Sequence, residues 1–270
     1  FKRVKNKKSA DIEFEIEIDN KNTQWVLGSM NQSKTTGEFI LVVHDITQLR
    51  QLNSMRRDFI SNLSHELRTP VSVIRANSET LLDGALDNKK DAKVFAKAIL
   101  HNSERLSLMV SDLIDLSRIE YGDLKLNIVP IDLDSFIEPF ILSMESLTKK
   151  KGINLTYKPA HKTKIKADVQ ALERILTNLI DNAFKYSPEE SFIEISTKQD
   201  DNNVRVMISD NGIGISDADK GHIFDRFYRA ASARASHNKG SGLGLAIVKN
   251  LVNSLNGEVG VSSGSPEGST

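Results

Sequence analysis

The sequence predicts an α+β chain in three parts: a β-rich start, a long helical hairpin and an α/β domain with a mostly antiparallel sheet. Three observations carry that reading. DIEFEIEI, residues 11–18, alternates polar and apolar residues as a half-buried strand does. Phe95, Ile99, Asn102, Leu106, Met109, Leu113 and Leu116 recur in alternating steps of four and three, the spacing of one helix face. Beyond Leu126, helical and strand-like segments of ordinary length alternate between turn signals.

The first part is residues 1–45. Trp25–Met30 and Glu38–Val43 read as two further strands, with the turn-rich NQSKTTG between them. Three strands are too few to close a core, so this part reads as the end of a small β-rich domain. The second part is residues 46–122. From Leu49 to Asp83 the residues Ile60, Leu63, Leu67, Ile74 and Leu81 share a helix face, and DGALDNKKD reads as a hairpin loop before the second helix. Two helices with one apolar stripe each leave both stripes open. A dimer that forms a four-helix bundle closes them; packing onto the rest of the same chain is the alternative.

The third part is residues 126–270. DVQALERILTNLIDNAFKY reads as a helix with Asp168 as N-cap and Ser187-Pro188 as its stop. Leu172, Leu176, Leu179 and Ala183 form its core stripe. SFIEISTK and NVRVMISD read as strands, LGLAIVKNLVNSLNG as a helix closed by Asn256-Gly257, and EVGVSS as another strand.

Composition narrows the function classes. Lys+Arg and Asp+Glu both number 36, so no charge bias points to nucleic acid. The absence of cysteine excludes disulfides and thiolate metal sites. No apolar run reaches the roughly 20 residues that span a bilayer. A chain that starts on Phe1 and ends on GSPEGST is expected to be an excised piece.

At 100° per residue, His65 of SHELRTP falls roughly opposite the apolar face of its helix and faces solvent. An ordinary surface residue is the plain reading. The neighbours favour chemistry. A solvent-facing imidazole is a nucleophile if a base takes its proton, and Glu66 is adjacent. Thr69, at i+4, puts a hydroxyl on the same side, where it can hold a water. Pro70 removes a backbone hydrogen bond and is expected to bend the helix near the histidine.

Three further segments suit a nucleotide. Asn178, Asn182 and Lys185 lie at i, i+4 and i+7 and form one polar stripe, which is either a solvated face or a seat for magnesium and phosphate. DNGIGI, from Asp210 to Ile215, follows a strand; its glycines allow a flat ligand to approach, and Asp210 can accept from an exocyclic amine, although a plain Asn-Gly turn also explains it. GSGLGLA, from Gly240 to Ala246, opens directly into a helix whose free N–H groups favour phosphate. It is neither a Walker A loop nor a dinucleotide fingerprint. The polar stretch between the two glycine segments, with IFDRFYRA as its aromatic anchor, suits a mobile lid.

Each glycine segment is weak alone. The ordered set resembles the sensor histidine kinases of two-component signalling over residues 45–270. HDITQLRQL, from His44 to Leu52, is similar to the join between a PAS sensor domain and a kinase helix. RRDFISNLSHELRTP and ETLLDGAL are similar to phosphate-responsive members. The resemblance implies a partial PAS β-sheet, a dimeric helical hairpin and an α/β-sandwich ATP-binding domain of the gyrase, Hsp90 and histidine kinase type. It implies His65 as phosphoacceptor, Glu66 as general base and Thr69 as the residue that orients water for phosphatase activity. It implies Asn182 with Asn178 as Mg2+ ligands, Lys185 and Tyr186 as nucleotide contacts, and Asp210 as the adenine partner with Gly212 and Gly214 shaping the pocket. Phe224 and Phe227 match the lid anchor, and Gly240, Gly242 and Gly244 the phosphate loop. Implied partners are a second copy and a cognate response regulator, with no nucleic acid. The segment is expected in the cytoplasm, anchored to a membrane only through segments outside this piece. The competing readings are an ATP-driven clamp, which has no need of a His-Glu-x-x-Thr helix, and a scaffold, against which the intact nucleotide motifs argue.

Overall fold

A computed structural model describes residues 9–19, 22–33, 35, 37–120, 122–160, 163–200, 203–230, 232–233, 241–262 and 268–270. The chain divides between His65 and Glu66 into two compact units.

In the first unit, β1 (Ser9–Asp19), β2 (Asn22–Gln32) and β3 (Phe39–Asp45) form an antiparallel meander in that order. The strands are longer than the alternation predicts, because each ladder extends past the apolar positions. The register places Ile12, Gly28 and Val43 side by side, so Ile12, Phe14, Ile16, Val26, Leu41 and Val43 share one face. Val26 is buried, whereas Ile12, Leu41 and Val43 are more than half exposed, so the sheet closes no core of its own. A short hydrogen-bonded knot then starts the helix. Thr47 N–H donates to the Asp45 carboxylate (2.8 Å), and Trp25 N–H donates to Thr47 Oγ1 (2.9 Å). The Thr47 donors hold the Asp45 carboxyl below its usual range.

Helix α1 (Thr47–Leu82) is continuous through the division between the units. Pro70 removes the N–H that would bond the Glu66 carbonyl, yet the helix runs on to Leu82 and the proline ring is buried. A 3-10 turn (Ala85–Asp87) leads to α2 (Lys89–Glu120). The predicted loop is too long: Lys89, Lys90 and Asp91 form the first helical turn. Asn88 explains it, since its side chain accepts from Lys90 N–H (3.0 Å) and donates to Asp91 (2.7 Å), the work of an N-cap. Met109 and Leu116 of the predicted stripe are fully buried, while Leu100, Leu108 and Ile114 stay exposed.

The α/β part carries two sheets. β4 (Val129–Asp132) pairs antiparallel with β6 (Lys164–Ala167). β5 (Asn154–Lys158) runs parallel to β7 (Phe192–Asp200), which pairs antiparallel with β8 (Asn203–Asp210). Helices α3 (Leu133–Lys151) and α4 (Val169–Tyr186) supply Leu133, Ile137, Leu176 and Ile180 to a core shared with Ile195 of β7. Burying each such side chain is worth about 1.5–3 kcal/mol. EVGVSS is not a strand over its described residues, 258–262. Among the described residues, the free edge of β8 forms a single bridge, Asp210 to Ser269, instead of a ladder with this segment, while Ser262 exchanges backbone hydrogen bonds with Thr270. Among the described residues, no helix is long and apolar enough to cross a membrane.

Candidate active site

Helix α4 starts as predicted: Asp168 accepts from Ala171 N–H (2.8 Å), and its second oxygen accepts from Asn127 N–H (2.7 Å). These donors hold its carboxyl below the usual range. The apolar face buries Ala171, Leu172, Ile175, Leu176, Ile180 and Ala183. Leu179 departs from the predicted core stripe and lines a cavity instead. That face turns Asn178, Asn182, Lys185 and Tyr186 into a cavity of about 840 Å³. Asp210, Gly214, Phe224, Gly242 and Gly244 line the same cavity. Gly212 and Phe227 support its wall rather than line it, and Gly240 lies outside the described residues.

The wall geometry explains the glycines. Asp210 Oδ1 accepts from Gly212 N–H (2.8 Å) and Oδ2 from Ser269 Oγ (2.6 Å), which fixes the carboxylate at the end of β8. A Cβ on Gly212 would sit 2.6 Å from the Tyr186 carbonyl, so only glycine lets the loop close on the end of α4. Gly242 has φ +71° and lies against the Phe227 backbone, whose N–H donates to the Gly242 carbonyl (2.9 Å). This contact joins IFDRFYRA to the glycine loop, 15 positions apart in sequence by the numbering of the two residues. A four-residue helix α5 (Asp217–Lys220) precedes IFDRFYRA. Helix α6 (Gly244–Ser254) begins after the glycine loop with no side-chain cap, and its first residues Gly244 and Leu245 line the cavity, so its N–H groups are available to an anion there.

The carboxamides suit a magnesium ion. Asn178 Nδ2 donates to the Arg174 carbonyl (2.9 Å), which commits its nitrogen to the helix and leaves the oxygen as the outward atom, beside Gly244. Asn182 lies one turn on and lines the cavity. Two neutral oxygens next to a phosphate seat match a metal that keeps most of its waters. Among the described residues, no group of three or more His, Cys, Asp or Glu side chains is arranged to hold a metal ion.

One wall escaped the sequence reading. Helix α2 contributes Arg105, Met109 and Asp112 to the cavity. Asp112 pairs closely with Arg174, and Arg174 also lies 3.4 Å from Asp115. Burial pushes the Asp112 carboxyl up, against the attraction of Arg174 and a hydrogen bond to Ser241 of the glycine loop. Arg174 continues the Asn178–Asn182–Lys185 stripe one turn toward the start of α4, and that extension was the available signal.

On α1, His65 and Thr69 are exposed, as the helical wheel predicts. Glu66 is half-buried and bonded to Arg105 of α2 (3.0 Å).

Residues 55–122 match the family described as the His Kinase A (phospho-acceptor) domain, and residues 167–270 match the histidine kinase-, DNA gyrase B- and HSP90-like ATPases. The chain carries the phospho-acceptor and ATPase domains of histidine kinases. It is 34% identical to the sensor-like histidine kinase SenX3 of Mycobacterium tuberculosis over 86% of its own length and 56% of that protein's. The chain therefore spans little more than half the length of this curated relative. Among solved structures, the Acinetobacter baumannii histidine kinase AdeS is 28% identical, with TM-score 0.64 over 76% of this chain and 94% of that one. Full-length ShkA in complex with AMPPNP is 26% identical, with TM-score 0.58 over 78% of this chain and 44% of that one. The family's α+β architecture, with a helical phosphoacceptor hairpin and an ATPase-type domain, matches the fold predicted from sequence.

Proposed function

We propose that this chain is the ATP-dependent autokinase portion of a sensor histidine kinase. The observation that carries the reading is convergence: Asn178, Asn182, Lys185, Asp210, Gly242 and Gly244, scattered over three sequence segments, line one cavity in a chain that also exposes His65 beside a carboxylate. Asp210 receives the base edge of ATP, Lys185 and the start of α6 hold its phosphates, and Asn182 with Asn178 would hold Mg2+, which would supply neutralising charge to the phosphates. The ATP analogue named with ShkA supports the choice of nucleotide. His65 attacks the γ-phosphorus through a ring nitrogen as the bond to the β-phosphate oxygen breaks. The ring proton passes to Glu66 and ADP leaves.

The phosphoryl group then goes to an aspartate of a response regulator, and Thr69 orients water when the regulator is dephosphorylated. A second copy covers the exposed residues Leu49, Leu52, Met55 and Ile60 of α1 and Leu100 of α2 as a four-helix bundle. The N-terminal meander is the end of a PAS-like sensor, and the phosphate-responsive likeness and membrane anchoring belong to this same reading. The test is labelling with γ-phosphate-labelled ATP. Wild type gives an acid-labile, base-stable phosphoprotein, and His65→Gln binds ATP yet takes no label. Normal labelling of His65→Gln removes His65 from the reaction.

A further inference from the structure

Arg105 stands between the phosphoacceptor helix and the nucleotide cavity. Its Nη2 donates to Glu66 Oε2 at 3.0 Å, across 39 positions of sequence, and only 17% of its side chain is exposed. The same side chain lines the cavity with Met109 and Asp112, at i+4 and i+7 on one face of α2. Ser241 of the glycine loop lines the same cavity, which places this face beside the phosphate end. Two helical turns, about 10 Å, separate positions 105 and 112, a distance that a bound triphosphate and a long arginine side chain together bridge. A guanidinium carries five donors in a fixed fork, and a phosphoryl group is a stronger bidentate partner than one carboxylate oxygen. While Arg105 holds Glu66, Oε2 of that carboxylate is engaged and the side chain is tied to α2.

We propose that Arg105 is a positioning residue that exchanges partners: it holds Glu66 when the cavity lacks a γ-phosphate and turns to the γ-phosphoryl group when ATP binds. This rests on the autokinase reading above. The exchange frees Glu66 at the moment the imidazole must lose its proton. The bonds balance as before: a nitrogen–phosphorus bond forms, the bond from phosphorus to the β-phosphate oxygen breaks with its electron pair leaving on ADP, and the ring proton moves to Glu66. Arg105 forms no covalent bond and only redistributes its hydrogen bonds. Base availability is thereby tied to the presence of a third phosphate.

The exchange predicts an equilibrium signature that needs no phosphoryl transfer. AMPPNP must draw Arg105 away from Glu66, whereas ADP does not. In the 270-residue chain, Glu66→Gln weakens the hold on Arg105 and should raise the ratio of AMPPNP to ADP affinity about three- to tenfold. Arg105→Ala should lower that ratio by a similar factor, and Arg105→Lys should fall between it and wild type. Both nucleotides are titrated calorimetrically against all four proteins. Ratios that agree within twofold across the set overturn the exchange. A uniform loss of ADP and AMPPNP binding in Arg105→Ala, with no recovery in Arg105→Lys, overturns it in favour of a purely structural role. His65 labelling is measured on the wild type separately, so failure of the autokinase reading is distinguishable from failure of the exchange.

Discussion

Gly242→Ala tests whether the join between the glycine loop and Phe227 shapes the nucleotide site. The new Cβ would lie 2.8 Å from both Cα and C of Phe227, and ordinary contact begins at 3.4 Å, so the backbones must part by 3.4 − 2.8 = 0.6 Å. The atoms in the way are backbone, so no side-chain rotation relieves them. At φ +71° an alanine also carries a left-handed penalty of about 1–2 kcal/mol. Parting the backbones costs the hydrogen bond from Phe227 N–H to the Gly242 carbonyl, about 1 kcal/mol more. The total, about 2–3 kcal/mol, falls on the loop that precedes α6. If the loop relaxes to a non-binding arrangement, nucleotide affinity drops about 30- to 150-fold. Gly221→Ala is the control: its Cβ meets nothing within 4 Å and its φ is −68°, so affinity stays at the wild-type value. Titration with a fluorescent ATP analogue, with thermal unfolding to confirm folding, reads both variants. Gly242→Ala binding within threefold of wild type refutes the reasoning.

Thr69→Ala should label on His65 at near the wild-type rate, but remove phosphate from a loaded response regulator about ten- to a thousandfold more slowly, as when a positioning hydrogen bond is lost; equal regulator decay in the two proteins excludes Thr69 from that step. Asn182→Ala should lose magnesium-dependent ATP binding while magnesium-free binding changes little, measured by titration with and without a chelator; unchanged affinity in magnesium removes the metal role. Asp168→Ala should cost about 1–2 kcal/mol in urea unfolding, because the carboxylate caps α4 and also holds Asn127 N–H. Since that carboxyl is held below the ordinary aspartate range, its contribution is complete above that range and disappears as pH falls through the lowered folded-state value. The wild type should therefore lose more stability on acidification than Asp168→Ala, and parallel pH profiles contradict the capping role.

Local signals in the sequence determined the elements whose information is local. A 3.6-residue stripe, Asp168 before it and Ser187-Pro188 after it define α4, because caps and periodicity act within a few residues. The outward position of His65 follows from helical geometry alone. The segments between Leu126 and Asp168 were unresolved in the sequence, yet they fold as β4, α3, β5 and β6, held by burial against α4 and β7 that no short window reports. EVGVSS has the alternation of a strand, but a strand needs a ladder partner, and β8 bridges Ser269 instead. Only the tertiary structure put Arg105 against Glu66, 39 positions away, and Asp112 against Arg174, 62 positions away. Both pairings depend on α2 packing beside the nucleotide cavity, and a charged residue on a helix face has no periodic signature that names its distant partner.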